Sequence, residues 1–269
     1  MKKIFLVVCL CAVVSMGCSM AQIRALFGAI EKPTIESIRP RILGLDFSGI
    51  NLAFDVDLNN PNSFPLKTPK FKYGLDIQGS NFMKSEGTAD IDLPAKGVGT
   101  VVLPAKIKYL DIWKTYKGLK DANQVSYDLK GAFVVSPLGK DIELPMSKSG
   151  SFPVLKIPNF SKISLEPSEV SLTESKVKVK ANVTNPNVFE MGLDKLGYVL
   201  KMGDVDFADI KSTLSKSLQA GETGQIELDA KVGGLSVLGR ILDGVDMGKL
   251  SLTPEGSVTT PYGEIPLPK

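Results

Sequence analysis

The stretch "LNNPNSFPL" covers residues 58–66, and "VTNPNVFEM" covers residues 183–191. Both carry Asn-Pro-Asn directly after a run that alternates apolar and polar residues. Proline has no N–H and holds φ near −65°, so it stops a strand ladder and suits the second place of a type I turn. An asparagine before it can accept a bond from the backbone two residues on, and one after it tolerates bridge or left-handed geometry. A phosphate loop, a metal site and a glycosylation sequon are the competing readings. The sequon fails, because Asn60 and Asn185 precede proline and the third places after Asn62 and Asn187 are Phe64 and Phe189. Asn60, Pro61 and Asn62, with Asn185, Pro186 and Asn187, therefore read as structural turns that bind nothing.

The two motifs stand 125 residues apart, and the same offset pairs Pro33 with Pro158, Ile38 with Ile163, Tyr73 with Tyr198, Leu75 with Leu200, Leu110 with Leu235 and Gly131 with Gly256. Near the end the offset slips, where Leu144-Pro145 answers Leu267-Pro268. A period of this size is too long for a solenoid unit and fits a whole domain. The reading is a duplicated domain: 34–150 and 159–269, joined by a linker at 151–158.

Period-two alternation marks the strands. Leu52, Phe54, Val56 and Leu58 face one way, with Asp55, Asp57 and Asn59 on the other; Val177, Val179, Ala181 and Val183 alternate with Lys176, Lys178, Lys180 and Asn182. One buried and one wet face is the habit of antiparallel sheets. In "KYLDIWKTYKGL" (108–119), Leu110, Trp113 and Tyr116 fall at helical spacing, and "GLSVLGRILDG" (234–244) repeats the pattern. Each domain thus reads as about seven short strands and one short helix. The expected fold class is all-β: two tandem antiparallel β-sandwiches of the fibronectin type III or immunoglobulin-like kind.

Residues 1–17, "MKKIFLVVCLCAVVSMG", have two lysines, a short apolar run and a small residue before Cys18. That run is too short to span a bilayer and has the parts of a signal peptide. The three cysteines, Cys9, Cys11 and Cys18, all lie at this end, so no disulfide framework exists in the domains. Ser15-Met16-Gly17-Cys18 resembles the lipobox of bacterial lipoproteins, with Ser15 where those proteins prefer an aliphatic residue. The resemblance implies acyl chains on Cys18, a tether over 18–33, and a membrane as partner. At roughly 0.8 kcal/mol per buried methylene, two or three chains anchor firmly. Ser19 rather than Asp after the cysteine points to the outer membrane, facing the periplasm.

The chain of 269 residues is 43% apolar and 23% charged, with a net charge of +3. Loss of Lys2 and Lys3 with residues 1–17, which hold no acid, leaves +1. A nearly neutral chain has no electrostatic footprint for nucleic acid. Histidine is absent altogether, and no cysteine lies in the domains. This removes the commonest general base, the usual nucleophile systems and the commonest metal ligands. No phosphate-loop or dinucleotide fingerprint occurs. Asp90 with Asp92, and Asp204 with Asp206, read as solvated strand positions. Asp55, Asp57 and Asn59 could face one cation, but Lys178 and Lys180 occupy the matching strand. No enzyme, cofactor or metal is expected.

An alternating strand with D-x-x-N-P-N, an aromatic residue two places on (Phe64, Phe189) and a Tyr-centred strand afterwards resembles the water stress and hypersensitive response domain. This is the group 2 late embryogenesis abundant domain, here resembled twice. The resemblance implies a fibronectin-like sandwich, no catalysis, and a part in tolerance of desiccation and other stress, by binding membranes or client proteins. A second reading is a carrier of lipid or another apolar ligand, with Trp113, Tyr116, Leu235 and Ile241 lining a groove between helix and sheet. Core packing is the plainer role for those four. A third is a scaffold that pairs an exposed strand with a partner.

Overall fold

In the computed structural model, residues 30–67, 69–116, 119, 121–202, 205–211, 216–233 and 249–268 are described. Residues 1–17, the tether up to residue 29 with Cys18, and the second expected helix at 234–244 lie outside them.

The first set of strands is β1 (Thr34–Leu45), β2 (Gly49–Asn60), β3 (Leu66–Lys67), β4 (Lys70–Ile77), β5 (Ser80–Thr88), β6 (Asp92–Leu93), β7 (Gly97–Lys108), β8 (Gln124–Val135) and β9 (Ile142–Pro153). Helix α1 (Tyr109–Thr115) sits between β7 and β8. The second set is β10 (Asn159–Glu169), β11 (Glu174–Thr184), β12 (Met191–Gly192), β13 (Leu196–Met202), β14 (Val205–Lys211), β15 (Ser217–Leu218), β16 (Thr223–Gly233), β17 (Leu250–Thr260) and β18 (Gly263–Pro266). The described residues are all-β apart from this short helix and 3-10 turns, and their strand pairs are antiparallel.

In the first set, a sheet in the order β1-β2-β7 faces one in the order β5-β4-β8-β9, with β3 pairing β6 at the side. The second set repeats the order as β10-β11-β16 against β14-β13-β17-β18. There the small pair β12-β15 is joined to β17 through Gly192 and Thr259. Alternation places the cores between the sheets. Leu52, Phe54, Val56 and Leu58 are buried on β2, and Val177, Val179, Ala181 and Val183 on β11. Aromatic pairs tie facing sheets: Phe54 meets Tyr127 edge-on at 5.4 Å, and Phe160 meets Tyr198 at 5.6 Å. Each such side chain, once buried, contributes about 1.5–3 kcal/mol.

The strands are more numerous and longer than the alternation alone suggests. Residues 125–129 and 132–135 form one strand, β8, because Gly131 continues the ladder opposite Tyr73 and Met146. Strand β5 escapes the pattern because it is an exposed edge, paired only with β4, and its Phe82 and Met83 are neighbours rather than alternate. Strand β9 runs to Pro153, three residues into the expected linker, and Val154 and Leu155 after it are buried. Helix α1 turns a different face to the core than its Leu110, Trp113 and Tyr116 spacing implies. Tyr109 and Ile112 are buried, while Leu110 stands 55% exposed.

Candidate functional site

The chain's repeated motif is built into the interior at the end of β2 and of β11. Asn60 is fully buried and Asn62 is 4% exposed; Asn185 and Asn187 match them. A carboxamide buried at that depth must have its donors and acceptor satisfied. The Nδ2 of Asn60 donates to the carbonyls of Phe64 (2.8 Å), Pro94 (3.0 Å) and Leu93 (3.4 Å). Its Oδ1 accepts the backbone N–H of Asn62 at 3.0 Å, the two-residue bond expected of an asparagine before this turn, and also Asn62 Nδ2 at 3.0 Å. One side chain therefore ties the strand end, the loop after the motif and the loop after β6 together.

Asn62 does something different. Its Oδ1 accepts the N–H of Glu31 at 2.9 Å and its Nδ2 donates to the carbonyl of Glu31 at 2.9 Å. The amide group mimics a strand neighbour for one residue of the chain entering β1. Asn187 holds Lys156 in the same way, accepting its N–H at 2.7 Å and donating to its carbonyl at 2.9 Å. The Nδ2 of Asn185 donates to Phe189, Leu218 and Gln219 in place of Phe64, Leu93 and Pro94. Each partner is 125 residues on from its counterpart. The motif is thus more than a turn: its first asparagine pins two loops and its second clamps the incoming main chain. Sequence could suggest the turn, but the clamp joins to backbone atoms 31 residues away and leaves no side-chain signature.

The acidic row on β2 is spent on ion pairs. Arg41 Nε and Nη2 donate to Asp55 at 2.6 and 2.8 Å, and Arg39 makes a two-point pair with Asp57. Ser37 and Thr100 add hydroxyl bonds of 2.7 Å each to Asp57. These donors, Arg39 first, hold the Asp57 carboxyl well below the usual range; the Arg41 bond does the same for Asp55. On β11 the matching Lys180 bonds Glu166 at 2.8 Å. Both faces are charged ladders across paired strands.

Trp113 packs partly buried against the core, stacked on Tyr109 at 5.8 Å, and the Tyr116 hydroxyl donates to the Ser80 carbonyl at 3.4 Å. Leu235 and Ile241 lie outside the described residues. Two surface clefts, of about 620 and 510 Å³, carry mainly charged and polar side chains. Glu169, Lys176, Asp209 and Lys231 line the first, and Lys72, Asp76, Lys84 and Lys130 the second. Among the described residues no group of three or more acidic or cysteine side chains could hold a metal.

Tyr109 is the side chain that sequence reasoning missed. Buried at the start of α1, its hydroxyl donates to the Pro153 carbonyl at 3.1 Å and accepts the Leu155 N–H at 3.4 Å. Its pairing with Ile112 at i, i+3 was the available signal.

No curated protein matches the chain. Among solved structures, a protein from Archaeoglobus fulgidus is similar at 7% identity with a TM-score of 0.38, over 46% of this chain and 100% of that one. A solution structure from Arabidopsis thaliana is similar at 16% identity and TM-score 0.40, over 48% and 86%. Red sea bream transglutaminase reaches 9% identity and TM-score 0.29, over 81% of this chain and 30% of its own. The family match is to residues 55–150, a span that takes in Asn60, Pro61 and Asn62 and most of the first set of strands: this part of the chain matches the model of the late embryogenesis abundant protein family LEA_2, the family its motif resembles.

Proposed function

We propose that this is a non-enzymatic water-stress protein of the cell envelope, made of two late embryogenesis abundant-type sandwiches and held to a membrane by lipid on Cys18. The family match over 55–150 is the observation that carries the reading. The duplication rests on the strand order and on the asparagine bonds, which recur 125 residues apart. The buried asparagines supply a physical rationale for stress tolerance. They satisfy each other and the main chain directly, so this part of the interior does not depend on water that drying would remove.

In this reading the protein acts at surfaces, on membranes or on partly unfolded proteins, and not by turnover of a substrate. The carrier alternative draws less support, since Trp113 and Tyr116 are engaged with Tyr109 and Ser80 and both clefts carry charge. Survival after drying, compared between a deletion strain and its complemented parent, tests the function; equal survival would sink it. Palmitate labelling, repeated with Cys18→Ala, tests the anchor, and undiminished label in the variant would refute it. Mass spectrometry of the purified protein tests the carrier, which requires a co-purifying lipid.

A further inference from the structure

The segment between the two sandwiches is bonded at every residue from Pro153 to Lys156. Pro153 gives its carbonyl to Tyr109, Val154 donates its N–H to Asn123 at 2.9 Å, and Leu155 donates its N–H to Tyr109. Lys156 then closes the junction from both sides. Its main chain is clamped by Asn187 of the second sandwich. Its Nζ reaches back to the first, donating to the Asp121 carbonyl at 2.6 Å and Asn123 Oδ1 at 2.7 Å. Val154 and Leu155 are buried in a hydrophobic cluster that also takes in residues of both sandwiches, and Pro158 is buried as well. A flexible linker would be exposed and self-solvated; here Pro153, Val154 and Leu155 are buried and bonded, and Ile157 is the exposed residue, at 42%.

From this geometry we propose that the junction is a strap rather than a hinge, with Lys156 as the residue that couples the sandwiches into one cooperative, fixed-reach body. The clamp reads main chain only, which explains why residues as unlike as Glu31 and Lys156 fill it. What distinguishes Lys156 is its side chain, which makes the clamp a joint between two domains. Disturbance on the Asn187 side is then felt by the first sandwich. The turn between β10 and β11, where Leu172 is 83% exposed, lies at the far end of β11 from Asn185. At about 3.3 Å per residue it stands roughly 35 Å beyond the junction, and the strap fixes its reach.

The sole tryptophan, Trp113, lies in the first sandwich, on the helix between β7 and β8. Thermal unfolding of the full chain is followed by its fluorescence, and the second sandwich by hydrogen exchange of peptides covering 174–184. The wild-type transitions coincide. Asn187→Ala lowers the Trp113 midpoint by about 2 °C or more, although the substitution lies in the other sandwich. Lys156→Met, which keeps the main-chain clamp and removes the Nζ bonds, separates the two midpoints by a similar margin. A Trp113 midpoint untouched by Asn187→Ala overturns the proposal, including where the second sandwich fails to fold. Coincident midpoints in Lys156→Met overturn it too.

Discussion

Tyr73 donates its hydroxyl to the carbonyl of Pro104, the residue at the centre of edge strand β7 that has no N–H of its own. Proline and a capped carbonyl together leave this stretch of the edge with little to offer a passing strand. The counterpart of Tyr73, Tyr198, is equally buried, but among the described residues its hydroxyl has no hydrogen-bond partner. Asp229, not proline, stands 125 residues on from Pro104.

Opposite outcomes follow for one chemical change. Tyr73→Phe loses a hydrogen bond and strands a carbonyl, so it destabilises by roughly 1–2 kcal/mol. Tyr198→Phe removes an unsatisfied buried hydroxyl and leaves stability unchanged or raises it by up to about 1 kcal/mol. Urea unfolding of both variants checks the pair; a loss of stability in Tyr198→Phe comparable to that in Tyr73→Phe would contradict it.

Asn60→Ala or Asn185→Ala leaves buried loop carbonyls and the N–H of Asn62 or Asn187 without a partner. The expected cost is about 3 kcal/mol or more for each. Asn60→Asp is worse despite its matching shape, because a carboxylate has no N–H to give to three carbonyls. Chemical denaturation ranks the variants, and an Asp variant as stable as wild type would reject the assignment.

Acid sensitivity has a defined sign. Asp57 is held low chiefly by Arg39, Asp55 by Arg41, Asp76 by Lys130 and Glu264 by Lys195. The folded chain therefore binds fewer protons than the unfolded one below about pH 4, and stability falls as pH drops through that range. No histidine titrates between, so stability is flat from about pH 5.5 to 9. Above about pH 10 it falls again. Burial pushes the Tyr198 hydroxyl up to about 12, so the unfolded chain ionises first. Unfolding free energies measured from pH 2 to 11 test this, and Asp57→Asn flattens the acid limb.

Gly131 sits in mid-strand because a Cβ there would lie 2.3 Å from the Lys72 carbonyl and 2.8 Å from Tyr73 Cα. Both are backbone atoms, so the clash cannot relax through a rotamer. Gly131→Ala costs about 2–3 kcal/mol in thermal unfolding. Gly256→Ala behaves alike, with the Lys195 carbonyl 2.5 Å away and a left-handed φ of 100°.

The fold class is legible in the residues alone, because alternation of Leu52, Phe54, Val56 and Leu58 is a local property that sets one sheet face against a core. The recurrence of Asn-Pro-Asn 125 residues on is equally legible, as is the strand-ending turn at Asn60-Pro61-Asn62, since proline's missing N–H acts wherever it stands. What the asparagines hold emerges only once the chain has folded. Their partners, from Glu31 to Pro94 and Lys156 to Gln219, are main-chain groups brought near by folding. A backbone carbonyl carries no residue identity, so bonds to it leave no mark in a sequence. The same reason hid the strap: Tyr109 and Lys156 look like an ordinary helix residue and an ordinary surface lysine until the chain closes around them.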